Sequence, residues 1–156
     1  MKNRRKSREL ALQALFCIDM LEEETEPLIE EICRLIDPPE KARPYFLTLV
    51  NGVVEHRQDI DERIVGTSSN WKLSRMSFVD RNIIRLSVYE LLFRDDIPPK
   101  VAINEAIDVG KKFGTEKSGG FINGILDSVY QRFIGDGAPV ADMGEPSALD
   151  EAGKKQ

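Results

Sequence analysis

The chain has 156 residues and carries 22 lysines and arginines against 27 acids, a net charge of −5. That length suits one compact core, and an acidic chain does not gather nucleic acid through a bulk positive field. Affinity for RNA would have to come from local charge, and such charge stands at the very start, where Lys2, Arg4, Arg5, Lys6 and Arg8 precede the first acid, Glu9.

Apolar residues at 10, 11, 14, 15, 18 and 21 recur at three- and four-residue spacing and predict a first helix from about Asn3 to Leu21, with Cys17 near its buried edge. Cations in the first turns of that helix oppose its macrodipole at roughly a few tenths of a kcal/mol each, so an anionic ligand is expected to offset them. Thr25, ahead of Glu26 and Pro27, reads as the N-cap of a second helix. Its inner face is Leu28, Ile32, Leu35 and Ile36, and Pro38-Pro39 stops it. The acids from Glu22 to Glu26 form a solvated connection.

A long third helix is predicted from near Pro44 to Val65, turning Phe46, Leu47, Val50, Val53, Val54, Ile60 and Ile64 inward, with Gly66 as its stop. Thr67 to Arg75 is a linker with Trp71 and Leu73 as anchors and about one helical turn. Ser77-Phe78-Val79-Asp80 has the form of a capping box, and Val79, Ile83, Leu86 and Leu91 carry a helix on to Phe93. Pro98-Pro99 turns the chain into a helix from Val101 to Phe113 that ends at Gly114. The last helix starts near Ser118 and buries Phe121, Ile122, Ile125, Leu126, Val129 and Phe133. No convincing period-two strand interrupts this pattern. The expected fold is all-α, about seven helices in two small packed subdomains at about residues 1–66 and 75–134. Residues 135–156, with four glycines, two prolines, five acids and two lysines, are expected to be a disordered acidic tail.

Cys17 and Cys33 stand sixteen residues apart without CxxC spacing and are expected as a reduced, buried thiol pair. No apolar run approaches the length of a membrane span, and the basic start leads into an amphipathic pattern rather than a signal peptide, so a cytoplasmic location is expected. His56, the lone histidine, falls on the polar side of the third helix with no serine or cysteine placed as its partner. Gly119-Gly120 with Gly124 fits neither a dinucleotide loop nor a P-loop. Asp59 with Asp61, and Asp95 with Asp96, read as solvated or capping acids. Asn104 and Glu105 read as caps of backbone amides at a helix start. No catalytic residue, metal site or cofactor is expected.

Two segments remain as candidate RNA contacts. The first is the basic arm, Lys2, Arg4, Arg5, Lys6 and Arg8, which runs directly into a well-patterned helix. If roughly four of these meet single-stranded RNA, affinity falls with salt at a log-log slope of about −0.7 per phosphate. The second runs from Lys111 to Phe121. Lys112, Lys117 and Ser118, a glycine-bearing loop and a helix N-terminus make a phosphate site chemically reasonable. Phe121 either stacks an unpaired base or packs in the core in register with Ile125.

Between Pro98 and Asp127 the residues become specific. Val101-Ala102-Ile103-Asn104-Glu105-Ala106-Ile107, then Phe113-Gly114, Ser118 and Phe121-Ile122-Asn123-Gly124-Ile125-Leu126-Asp127 closely resemble the NusB family. Arg4-Arg5-Lys6-Ser7-Arg8-Glu9 with Leu10 to Phe16 is similar to that family's opening helix. Asp80-Arg81, Ile84-Arg85-Leu86 and Tyr89-Glu90-Leu91-Leu92 are similar to its central one.

The resemblance implies an all-helical fold of two subdomains that binds the boxA element of nascent RNA, notably from ribosomal RNA operons. It implies a heterodimer with NusE, a small-subunit ribosomal protein, inside an elongation complex with other Nus factors that resists termination. It places Arg4, Arg5, Lys6 and Arg8 in the RNA-binding segment and Phe121 at the RNA surface. Phe16 and Asp80 fall near the NusE contact, with Phe16 where the family often has tyrosine. Lys117, where some relatives have an acid, is expected to favour RNA. A similar domain opens ribosomal-RNA cytosine methyltransferases, but the large catalytic domain that follows there is not expected here. The alternative is a helical protein-binding module or homodimer, in which the arginines meet acids of a partner or a second copy.

Overall fold

A computed structural model describes residues 2–67 and 72–135. Within them lie seven α-helices and no strand: α1 Lys2–Leu21, α2 Glu26–Ile36, α3 Arg43–Glu55, α4 Arg57–Gly66, α5 Phe78–Phe93, α6 Pro99–Phe113 and α7 Ser118–Phe133, with a 3-10 turn at Leu73–Arg75 before α5. Trp71 and residues 136–156, which carry the tail reading, lie outside the described residues.

The apolar stripes assemble as their spacing dictates. Leu10, Ala11, Ala14, Leu15 and Ile18 of α1 pack on Phe46, Leu49, Val50 and Val53 of α3, and α6 and α7 pack on α5 from its other side. Helix α5 is the axis of the molecule, because every residue from Asn82 to Leu91 is buried. Its polar members, Asn82, Arg85, Ser87 and Glu90, are therefore buried as well and need partners inside the protein.

The single third helix expected from the sequence is two. The stripe Phe46, Val53, Ile60, Ile64 runs in phase through the break, which is why it reads as one helix. The backbone opens at His56, with φ −107° and ψ 16°, and re-aims α4 toward α5 and α7. His56 is not a free surface histidine: its half-buried ring stacks on Phe93 at 4.0 Å and lies 6.3 Å from Tyr89.

Four residues expected inside are not, and for Cys33, Leu35 and Leu47 on α2 and α3 the reason is shared. Cys17 is exposed and Cys33 only half buried, so they form no buried pair, and Leu35 and Leu47 remain 67% and 37% exposed. Helix α2 rests chiefly on α1, so its buried stripe narrows to Ile29 and Ile32 and it leaves the outer face of α3 uncovered. The N-cap of α2 also differs, because the Thr25 hydroxyl donates to Glu23 at 2.6 Å and makes no bond to the helix. At the other end Asp37 takes the left-handed conformation, φ 49°, its N–H bonding the Cys33 carbonyl just before Pro38.

Close approach of α3 to α5 requires Gly52, where an added Cβ would stand 2.3 Å from the Tyr89 ring. That ring is held by the His56–Phe93 stack and cannot swing away freely. Gly52→Ala is expected to cost about 1–3 kcal/mol in chemical denaturation. In a Tyr89→Leu background the same change should cost much less, a coupling that a double-mutant cycle reads directly.

Candidate nucleic-acid interface

The basic arm is ordered as the first two turns of α1, and its arginines are not bare. Arg5 donates to Glu105 at 2.7 and 3.1 Å and to Asp108 at 3.3 Å, both on α6. Arg4 reaches Asp96 at 3.3 Å and lies over the Tyr45 ring at 4.3 Å. Lys112, at the C-terminal end of α6, meets Glu9 at 3.1 Å. These carboxylates supply from within the offset to the helix dipole for which the sequence suggested an anionic ligand. Those of Glu9, Glu105 and Asp108 also tie α1 to α6 and so bring the arm beside the segment that leads through Gly114–Lys117 into α7. Lys6 and Lys117 are exposed, and among the described residues no carboxylate bridges either. The Lys2 side chain lies outside the described residues.

Two of the predicted RNA contacts, Arg8 and Ser118, are buried and bonded within the protein. Arg8 is 4% exposed and its guanidinium donates to Glu90 at 3.0 and 3.2 Å, with Glu105 at 3.5 Å. Glu90 also accepts from the Tyr45 hydroxyl. Burial pushes the Glu90 carboxyl above its ordinary range, outweighing the Arg8 charge and these hydrogen bonds, and it pushes the Tyr45 phenol up as well. Ser118 is 1% exposed, and its hydroxyl oxygen accepts from the Thr115 N–H at 2.9 Å, pinning the loop before α7. Gly114 is required by that pin and not by a left-handed cap: its φ is −97°, and a Cβ there would lie 2.2 Å from Ser118 Oγ. Phe121 is half buried, in part packed against the core and in part open to solvent. Glu105 caps no backbone, because α6 begins at Pro99 and its carboxylate serves Arg5 and Arg8. The hydrogen bond from Arg5 holds that carboxyl below its ordinary range.

The second cluster forms at the far end of α1. Phe16 meets Phe78 edge to face, centroids 5.7 Å apart, and Arg81 lies over the Phe78 ring at 4.5 Å. Phe78 is 37% exposed, and sequence reasoning passed over it as a filler of the capping box. The box itself forms in one direction, the Asp80 N–H donating to Ser77 Oγ at 3.0 Å. Asp80 Oδ1 is shielded and has no hydrogen-bond partner among the described residues. Phe16 and Asp80 are thus brought to one place, beside an exposed aromatic. Arg5 and Phe16, eleven residues apart, fall within about 20° around α1 and about 16 Å along it, so one helix carries both clusters.

Beneath the aromatic pair lies a buried ion network that the sequence did not reveal. Asp19 accepts from Arg81 at 2.7 and 2.9 Å, from Asn82 at 2.8 Å and from Arg85 at 3.2 Å. Arg85 is held in turn by Asp61 at 2.8 and 3.1 Å. Burial alone would raise the Asp19 carboxyl, but the hydrogen bonds from Arg81 and Asn82 and the Arg85 charge bring it below the ordinary carboxylate range. A folded value below the unfolded one means that Asp19 stabilises the fold at neutral pH and that this contribution is lost on acidification below about pH 4. Glu90 acts with the opposite sign, favouring the fold as it gains its proton. The test is urea denaturation from pH 2 to 6, in which Asp19→Asn should flatten the acid limb relative to the parent chain.

Among the described residues no group of three or more histidines, cysteines and acids is placed to hold a metal ion, and no helix is long and apolar enough to cross a membrane.

A family model described as the NusB family matches residues 5–131. The transcription antitermination protein NusB of Geobacter sulfurreducens is 54% identical over 127 residues, spanning 81% of this chain and 92% of that protein. Its counterpart in Syntrophus aciditrophicus is 48% identical over 132 residues, 85% of this chain and 82% of that protein. A chain in the crystal structure of antitermination factors NusB and NusE in complex with dsRNA superposes with a TM-score of 0.73 at 31% identity, covering 84% of this chain and 98% of that one.

Proposed function

Since the chain belongs to the NusB family, we propose that it is a transcription antitermination factor that binds boxA-type RNA of nascent transcripts jointly with the ribosomal protein NusE. The observation that carries this reading is the likeness, over nearly the whole fold, to a chain solved with NusE and RNA. The chain acts by binding rather than by catalysis, in the cytoplasm where transcripts are made, as part of an elongation complex with other Nus factors.

The RNA face is assigned to Arg4, Arg5, Lys6, Lys112, Lys117 and the open part of Phe121, with Lys2 as the continuation of the arm. Arg8 and Ser118 hold this face in shape and do not touch the ligand. The acids of α6 fix the arginines but also compete with phosphate for them. An exposed pair of this kind is worth about 0.2–1 kcal/mol, so Asp108→Asn should raise RNA affinity about two- to fivefold at low salt. A decrease on that substitution would contradict the assignment. NusE is assigned to Phe16, Phe78 and Asp80. The missing tyrosine hydroxyl at Phe16 leaves apolar contact as the main anchor there, and Asp80 would supply a carboxylate beside it.

Sedimentation of the chain alone, with NusE, and with NusE and a boxA-type oligonucleotide tests the assembly. A one-to-one complex with NusE that then takes up RNA is the expected series. Stable self-association that excludes both ligands would favour the homodimer reading instead.

A further inference from the structure

A slot of about 780 Å3 lies between α2 and α3, and none of the residues assigned to RNA or to NusE lines it. Its floor is Ile29, Cys33, Phe46, Leu47 and Val54. Leu47 belongs to the apolar pattern of α3, yet it stays 37% exposed because α2 leans on α1 and does not close over it. The slot is thus a stretch of core surface without its covering element. Its rim is acidic: Glu26 and Glu30 stand on α2 and Glu55 on α3, and among the described residues no cation bridges any of the three. The two arginines at the other end are already neutralised, Arg34 by Glu31 and Arg43 by Asp37. Through Glu24, Val54 and Glu55 the slot opens into a second cleft, where Glu22 and Glu62 add negative charge and the lining arginines, Arg57 and Arg81, are bridged to Glu24, Asp61 and Asp19.

This combination selects its occupant. A negative rim repels phosphate and acidic peptides, and an apolar floor gives a free hydrophilic cation nothing to bury. The 11 residues of α2 set a length of about 16 Å, three turns of a helix. We propose that the slot between α2 and α3 receives a basic amphipathic helix of a partner protein, its apolar stripe on Leu47 and Val54 and its lysines or arginines against Glu26, Glu30 and Glu55. The mode is a helix laid in a groove, read through anchors at i, i+3 and i+7.

The test uses the full chain and three fluorescent peptides of about 14 residues: one with a leucine stripe flanked by lysines, one with the same stripe flanked by glutamates, and a scramble of the first. Anisotropy should show the lysine amphipath binding at least about tenfold tighter than either control. Leu47→Asp, and separately Glu26→Lys with Glu30→Lys, should each remove at least about tenfold of that affinity while the circular dichroism and the RNA affinity stay those of the parent chain. These positions are exposed, so the variants keep their fold. Equal binding of the scramble, absence of binding by all three peptides, or indifference to Leu47→Asp overturns the proposal. So does a dimer of the chain that Leu47→Asp dissolves, which would make the occupant a second copy.

Discussion

Replacing Glu90 with alanine is expected to cost about 3–5 kcal/mol, a fall of more than about 10 °C in the thermal midpoint. The Arg8 side chain is 5% exposed and Glu90 1%, so the substitution strands a guanidinium in the core with only the distant Glu105 oxygen and removes the acceptor of the Tyr45 hydroxyl. Two unsatisfied donors are then buried at once. The loss reflects the broken pair, not a large net worth of the intact one, because desolvation offsets most of the attraction between two buried charges. The double variant Arg8→Met with Glu90→Leu should therefore recover most of the stability. RNA binding by that variant should be close to that of the parent chain, since Arg8 acts through the frame. A loss below about 1 kcal/mol in Glu90→Ala would mean that the pair is solvated and that Arg8 is available to ligand after all.

Neutralising Arg4 and Arg5 together as glutamines is expected to weaken RNA binding by roughly 10- to 100-fold and to reduce the log-log salt slope by about 1.4, two phosphates at about 0.7 each. Both side chains are well exposed, 36% and 53%, and the ion pairs they give up are surface pairs, so stability should change by less than about 1 kcal/mol. The two variants are complementary. Glu90→Ala lowers stability with the arm's charge unchanged, and the arginine pair lowers the arm's charge with stability nearly unchanged. An unchanged slope in Arg4→Gln with Arg5→Gln would place the phosphates elsewhere.

The helices were legible in the sequence because each buries a stripe of regular spacing: Leu10 to Ile18, Phe46 to Val53 and Ile122 to Val129 all lie where the period puts them. The errors come from properties that a period does not carry. The break at His56 preserves phase, so no sequence pattern marks it. The exposure of Leu35 and Leu47 depends on where α2 leans. The burial of Arg85 and Glu90 follows from α5 being enclosed on all sides, whereas its sequence shows only that Val79, Ile83, Leu86 and Leu91 share a face. One signal was available: Asp19 stands one residue after Ile18 and four after Leu15, an acid against a buried stripe, and such a residue needs a cation near it.

The candidate site was legible as composition but not as electrostatics. Five cations before the first acid mark the arm, and family likeness marks Phe16 and Asp80. Nothing local tells that Arg5 is met by Glu105 and Asp108 a hundred residues later, or that Arg8 turns inward while its neighbours turn outward. Those facts separate the exposed cations of the arm from the buried one that joins its helix to α5.

The most direct test of the central claim is an anisotropy titration of boxA-type single-stranded RNA with the chain alone and with the chain plus NusE, at two salt concentrations. With the tail's five acids and two lysines set aside, the body carries 20 cations against 22 acids, and with only small cationic patches it should bind the RNA weakly alone. With NusE it should bind at least about tenfold more tightly, prefer boxA over a scrambled sequence, and show a steeper salt dependence. Weak binding that ignores sequence and is unmoved by NusE would contradict the account.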